Sequence, residues 1–234
     1  MQNVVSDQAS TNKKLFALLQ DWRLEQIPAA VENWETLSED EKQRYTDFNV
    51  FWCGLHFIVG LSDISNKVLQ VWESLVHQGQ KAGAPGIPGG YSKPGESGTV
   101  RCIRTVCKAV QDRGCERAGK PVEFRDFLHN QDINKVPLVP FMGSRFNVVF
   151  HNGAGVFFLY KCLTQFVGEH KGDNRLFSAI HADLSVVAYV AGCRALGLIS
   201  KQVTAPLWRF LEADGHVQDL TATYPELTAK FKVT

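Results

Sequence analysis

A mainly α fold is what this chain predicts: a multi-helix domain with at most a short strand at its amino terminus, over residues 2–6. Apolar residues recur at spacings of three and four over most of the 234 residues. Cap-type side chains stand in front of those periodic runs. After residue 7 no segment alternates convincingly between apolar and polar side chains, the pattern of a half-buried strand.

The run Val4-Val5-Ser6-Asp7 supplies the strand remnant and ends on an acid. Residues 10–24 place Leu15, Leu18, Leu19 and Trp22 at helical spacing behind Ser10 and Thr11, and Pro28 opens a connection. Ser38-Glu39-Asp40-Glu41 matches a capping box, in which the hydroxyl takes the third amide and the carboxylate reaches back to the cap. From Glu39 to Gln78 the apolar positions predict one long helix, with a slip near Gly60, as the spine of the core. Residues 79–98 concentrate glycine and proline and read as a flexible loop. Thr99–Asp112 and Val122–Asn130 read as helices, and Pro137 with Pro140 stops anything helical before Gly143. Two apolar helices come next, about 145–168 and 174–197, the second rich in small residues, and a last one runs from Pro206 to Ala213. The organisation is therefore 1–78, strand remnant and long helix; 79–98, loop; and 99–234, the remaining helices of the same domain.

Composition bounds the function. Hydrophobic residues make up 44% and charged residues 21%, an ordinary globular balance. Lys plus Arg number 25 against 24 for Asp plus Glu, so any affinity for nucleic acid must come from a local patch. The six cysteines lack compact disulfide spacing and no signal-peptide core opens the chain, which predicts reduced thiols in the cytosol or nucleus. The most membrane-like stretch, 146–168, is interrupted by Asn147, His151, Asn152 and Gln165, and reads as a buried helix, not a membrane span.

Three segments carry a resemblance through their order, Val4-Val5-Ser6-Asp7-Gln8-Ala9-Ser10-Thr11-Asn12, Cys53-Gly54-Leu55-His56 and Phe141-Met142-Gly143-Ser144-Arg145-Phe146-Asn147, and the later Thr204-Ala205-Pro206-Leu207-Trp208 also suits it. Together they resemble hAT-like transposases, whose catalytic core is an RNase H-like fold. The resemblance implies that Asp7 corresponds to the second catalytic aspartate. It also implies that Cys53 and His56 are the Cys-x-x-His of the helical insertion domain, and that Arg145 opens a later helix of it. The family usually has Trp where this chain has Phe146. The first aspartate and the final glutamate of such a site have no counterpart here. With those acids missing, the resemblance implies a transposable-element-derived, non-catalytic protein that survives as a helical DNA- or protein-binding module. The rivals are a DDE-type transposase completed by a second polypeptide and a plain protein-interaction domain.

Each candidate residue also has a structural reading. Asp7 is a metal ligand or an acid favouring the positive end of the following helix. Magnesium or manganese is expected only if a complete set of acids exists, and Asp183, Glu212, Asp214 and Asp219 are the candidates for replacing a missing one. Cys53 and His56 have the spacing of two zinc ligands, yet no second pair completes four, so a packed thiol and a hydrogen-bonded imidazole compete with a metal site. Arg101, Arg104 and Lys108 form a basic stripe at helical spacing, available to DNA phosphates or simply solvated. Arg145 contacts a phosphate or pairs with an acid. Asn152-Gly153-Ala154-Gly155 has the small residues of close helix packing and no strand in front of it, which sets it apart from a phosphate loop.

Overall fold

The computed structural model describes residues 3–6, 10–47, 49–52, 56–111, 118–141 and 147–212, with positions 225 and 229. The chain is mainly helical and divides into two compact units, residues 1–56 with 214–234, and residues 57–213. The division falls inside the segment that the apolar spacing reads as one helix.

In the first unit, strand β1 (Asn3–Ser6) pairs in parallel with β2 (Asn49–Trp52), Val4 opposite Val50 and Ser6 opposite Trp52. Helices α1 (Ser10–Ala30) and α2 (Glu39–Thr46) lie between them in sequence. Helix α1 runs past Pro28, which stands within its last turn. The capping box forms: the Glu41 amide donates to Ser38 Oγ at 3.4 Å and the Ser38 amide to Glu41 Oε2 at 2.9 Å. The backbone bond from Ser38 holds the Glu41 carboxyl below its ordinary range. Arg23 Nη2 donates to the Tyr45 carbonyl at 2.6 Å, tying α1 to α2.

The long helix expected over 39–78 is two helices with a strand between them. Thr46 turns its hydroxyl back onto the Lys42 carbonyl, and Asp47 leaves the helix with φ −56° and ψ 133°. Asn49–Trp52 contains a β-branched and two aromatic residues, which suit a strand edge to edge with β1. Helix α3 (His56–Val76) then begins anew.

The second unit is built on α4 (Gly98–Val110), not on the 39–78 segment. Cys102, Ile103, Val106, Cys107, Ala109 and Val110 are all sealed from solvent. Around it stand α5 (Pro121–His129), α6 (Val148–Phe158), α7 (Tyr160–His170), α8 (Arg175–Leu184), α9 (Val187–Ile199) and α10 (Ala205–Glu212). Phe124, Phe127, Phe166 and Phe177 join α5, α7 and α8 through stacked, tilted and edge-on ring pairs.

Both long apolar helices of the carboxy-terminal half are broken. The first stops at Leu159, whose amide is shared between the Gly155 and Phe157 carbonyls, and the turn there buries Leu159 and Leu163 completely. The second stops at Ser185, whose hydroxyl donates to the His181 carbonyl at 2.8 Å, and Val186 is extended, so the axes bend by 80°. After α9 the backbone widens into a π turn over Ser200–Thr204, with the Ala205 amide reaching the Ser200 carbonyl. This widening answers Pro206, which has no amide and whose ring crowds the carbonyl four residues back. Among the described residues no single helix is long and apolar enough to cross a membrane.

Small residues do set close approaches. A Cβ at Gly192 would collide with the Thr99 side chain, and one at Gly153 would stand 2.8 Å from Leu196 Cβ. Asn152 is held in its buried place on α6 by bonding both ways with Val139, Val139 N to Oδ1 at 2.8 Å and Nδ2 to the Val139 carbonyl at 3.0 Å. The sequence Asn152-Gly153-Ala154-Gly155 is thus a packing surface.

Candidate functional site

The amino terminus of α4 gathers a dense set of buried polar contacts in the second unit. A helix start leaves amides without intrahelical partners. Here Ser97 Oγ accepts from the Val100 amide at 3.1 Å, and Glu73 of α3 accepts from the amides of Gly98 at 2.6 Å and Thr99 at 2.9 Å. The Thr99 hydroxyl donates to the same carboxylate at 2.6 Å. Glu73 therefore brings its negative charge to the positive end of α4.

The loop expected to be flexible is tethered along this end. Asn66 Nδ2 and Gln70 Nε2 both donate to the Gly95 carbonyl, Asn66 Oδ1 accepts from the Ser97 amide, and Ile87 is buried. These contacts offset the ordering cost that the glycine and proline content argues against.

The basic stripe is not a surface stripe. Arg101 is 2% exposed and Asp183 1%, and they meet in a two-pronged ion pair, Nη2 to Oδ1 at 2.7 Å and Nε to Oδ2 at 3.1 Å. Arg101 Nη1 donates to Ser92 Oγ at 2.9 Å, and the guanidinium lies over the Tyr189 ring. Burial works against the guanidinium's charge, but the hydrogen bonds and charge of Asp183 outweigh it and raise the Arg101 pKa above its ordinary value. Helical spacing put Arg101 beside Arg104; the apolar helices packed on α4 put it inside. A DNA phosphate cannot reach it, and Asp183 is committed to it instead of to a metal.

Arg104 and Lys108 do reach the surface side of α4. Arg104 pairs with Glu96 through Nε at 2.6 Å and Nη2 at 2.7 Å, and Nη2 also donates to the Tyr91 carbonyl. Lys108 Nζ lies 5.3 Å from the centre of the Tyr91 ring. Tyr91, Ser92, Lys93, Arg104, Cys107, Lys108 and Phe141 line an open cleft of about 520 Å³. Tyr91 adopts φ 60°, a left-handed conformation that costs an aromatic residue roughly 1–2 kcal/mol. Burial pushes the Cys107 thiol well up, so it meets the cleft protonated.

Asp7, Cys53 and Arg145, with Asp214 and Asp219, lie outside the described residues. His56 is half-buried at the first position of α3, and Glu212 is exposed at the end of α10. Among the described residues no group of three or more His, Cys, Asp or Glu side chains could hold a metal ion. Sequence reasoning missed Tyr91 and Lys93, and met Phe141 only as the first residue of the Arg145 segment. The available signal was a lone aromatic and a lysine set among glycines and prolines, in Gly90-Tyr91-Ser92-Lys93-Pro94.

The second feature of note is the outer face of α3. Ile64, Val68, Val71 and Leu75 are 59%, 60%, 63% and 74% exposed. The inner face of the same helix carries Ser62, Ser65 and Glu73 among its buried side chains. No family model, no curated protein and no solved structure matches this chain.

Proposed function

We propose that this chain is a transposable-element-derived helical binding module that docks a partner protein on α3. The proposed descent rests on the order of the segments around Asp7, Cys53 with His56, and Arg145, which resembles that of hAT-like transposases.

The observation that supports docking is the stripe Ile64, Val68, Val71 and Leu75. Its steps of four, three and four are those of a coiled-coil seam, in which each apolar side chain enters a hole on a facing helix. A soluble helix ordinarily turns such a stripe inward. Here the inner face already buries Ile58 and Leu69 beside two serines and a glutamate, the glutamate committed to α4, and a second apolar stripe faces out. The occupant that this spacing fits is a partner's amphipathic helix. Protein docking is favoured over DNA because Arg101 is sealed against Asp183 and Arg104 is neutralised by Glu96.

The test places a photo-crosslinking residue at position 71 of the full chain in cells and maps the joined peptides. Crosslinks to a helix with its own three-and-four apolar seam, lost in Val68→Glu, are expected. Binding of duplex DNA that weakens steeply with salt and with loss of Lys93, Arg104 and Lys108 charge would replace this reading with the nucleic-acid one.

A further inference from the structure

The cleft beside Tyr91 has a different character from the α3 stripe and stands independently of the docking proposal. Three cations line it: Lys93 from the loop, and Arg104 and Lys108 from α4. Glu96 neutralises Arg104. No described carboxylate lies within ion-pair distance of Lys93 or Lys108, and Lys108 instead faces the π face of Tyr91. Among the described residues the cleft therefore carries the formal charges of two lysines with no carboxylate to balance them. Two aromatic side chains, Tyr91 and Phe141, complete its wall, and the Ser92 hydroxyl adds a polar group. The carbonyl bond from Arg104 holds Tyr91 in its left-handed conformation, and such outliers persist where the surroundings over-determine them, often at ligand clamps.

We propose that this cleft binds a small ligand carrying a phosphate dianion on a planar ring, a mononucleotide-like molecule. The two lysines act as point charges for the phosphate, as lysine does in phosphate sites generally. The rings of Tyr91 and Phe141 give the planar part a stacking surface. A volume of about 520 Å³ suits a ligand of that size.

Calorimetric titration of the full chain with phenyl phosphate and with adenosine 5′-monophosphate tests the proposal, beside Lys93→Gln/Lys108→Gln with an unchanged thermal melt. Saturable binding of both probes is expected, weaker for inorganic phosphate, and reduced about tenfold or more in the double variant, which corresponds to about 1.4 kcal/mol. Absence of saturation at millimolar probe overturns the proposal, as does binding that the double variant leaves intact. A single-stranded oligonucleotide whose affinity rises with length past that of the mononucleotide also overturns it, in favour of a strand. Val68→Glu leaves all these titrations unchanged, so failure here is distinguishable from failure of helix docking.

Discussion

Asp183 receives Arg101 through two parallel hydrogen bonds across 82 positions of sequence, with neither side chain open to water. The pair joins α8 to α4, and Ser92 extends it to the loop. Such a pair is weak grounds for stability in itself, because desolvating both charges offsets most of their attraction. Its consequence is asymmetric: each partner is tolerable only with the other.

Asp183→Ala is expected to destabilise the second unit by roughly 3–5 kcal/mol, since it strands a buried guanidinium. Arg101→Met combined with Asp183→Leu is expected to recover most of that loss. Urea denaturation followed by circular dichroism measures both. A double variant as unstable as Asp183→Ala would mean that the pair's value lies in its charges.

Glu73→Ala removes the acceptor for two amides and one hydroxyl at the start of α4. The expected cost is roughly 1.5–3 kcal/mol, the range for hydrogen bonds to a charged group. Thr99→Val deletes only the hydroxyl bond and is expected to cost about 1 kcal/mol. Equal midpoints for Glu73→Ala and the wild type in thermal melts would refute the cap.

How much of the fold is legible in the sequence depends on whether the cause is local. The capping box at Ser38, the helices over 98–110 and 121–129, and the packing role of Gly153 follow from neighbours in sequence, and these readings agree with the structure. The breaks at Asp47, Leu159 and Ser185 are hidden because apolar spacing continues across them, and only tertiary burial decides where the axis turns. The same limit applies to the site. Arg101, Arg104 and Lys108 share a spacing, but Asp183 and Glu96 assign one to the interior and one to an ion pair. The apolar period of 64–75 marks a helix but not the direction its stripe faces, because the commitment of Glu73 to a helix 25 residues on is invisible to periodicity.

Glycines of equal helical context are expected to respond oppositely to alanine. At Gly192 a methyl group would strike Thr99 and stand 3.1 Å from Leu69 Cδ2, so Gly192→Ala is expected to cost about 1–3 kcal/mol through overpacking. At Gly60 nothing lies within 4 Å, so Gly60→Ala is expected to stabilise α3 by about 0.5–1 kcal/mol through lost backbone entropy in the unfolded chain. Parallel thermal melts of the two variants read this directly; a shift of the same sign in both would contradict the α4–α9 approach.

Stability is expected to fall as the pH drops below about 6.5, and His151 is the cause. Burial in α6, aided by the charge of Lys135, lowers its pKa from the ordinary 6.5. Below 6.5 the unfolded chain takes up a proton that the folded chain refuses, so the unfolded state binds more protons and stability rises with pH across this window. Asp173 acts in the same sense but further down, because Lys120 and His170 hold its carboxyl below the ordinary 3.8. His151→Gln is therefore expected to flatten the upper part of the profile and leave the lower part alone. Urea midpoints at a series of pH values decide it: a variant whose slope between neutral pH and the carboxylate range matches the wild type would place the titrating group elsewhere.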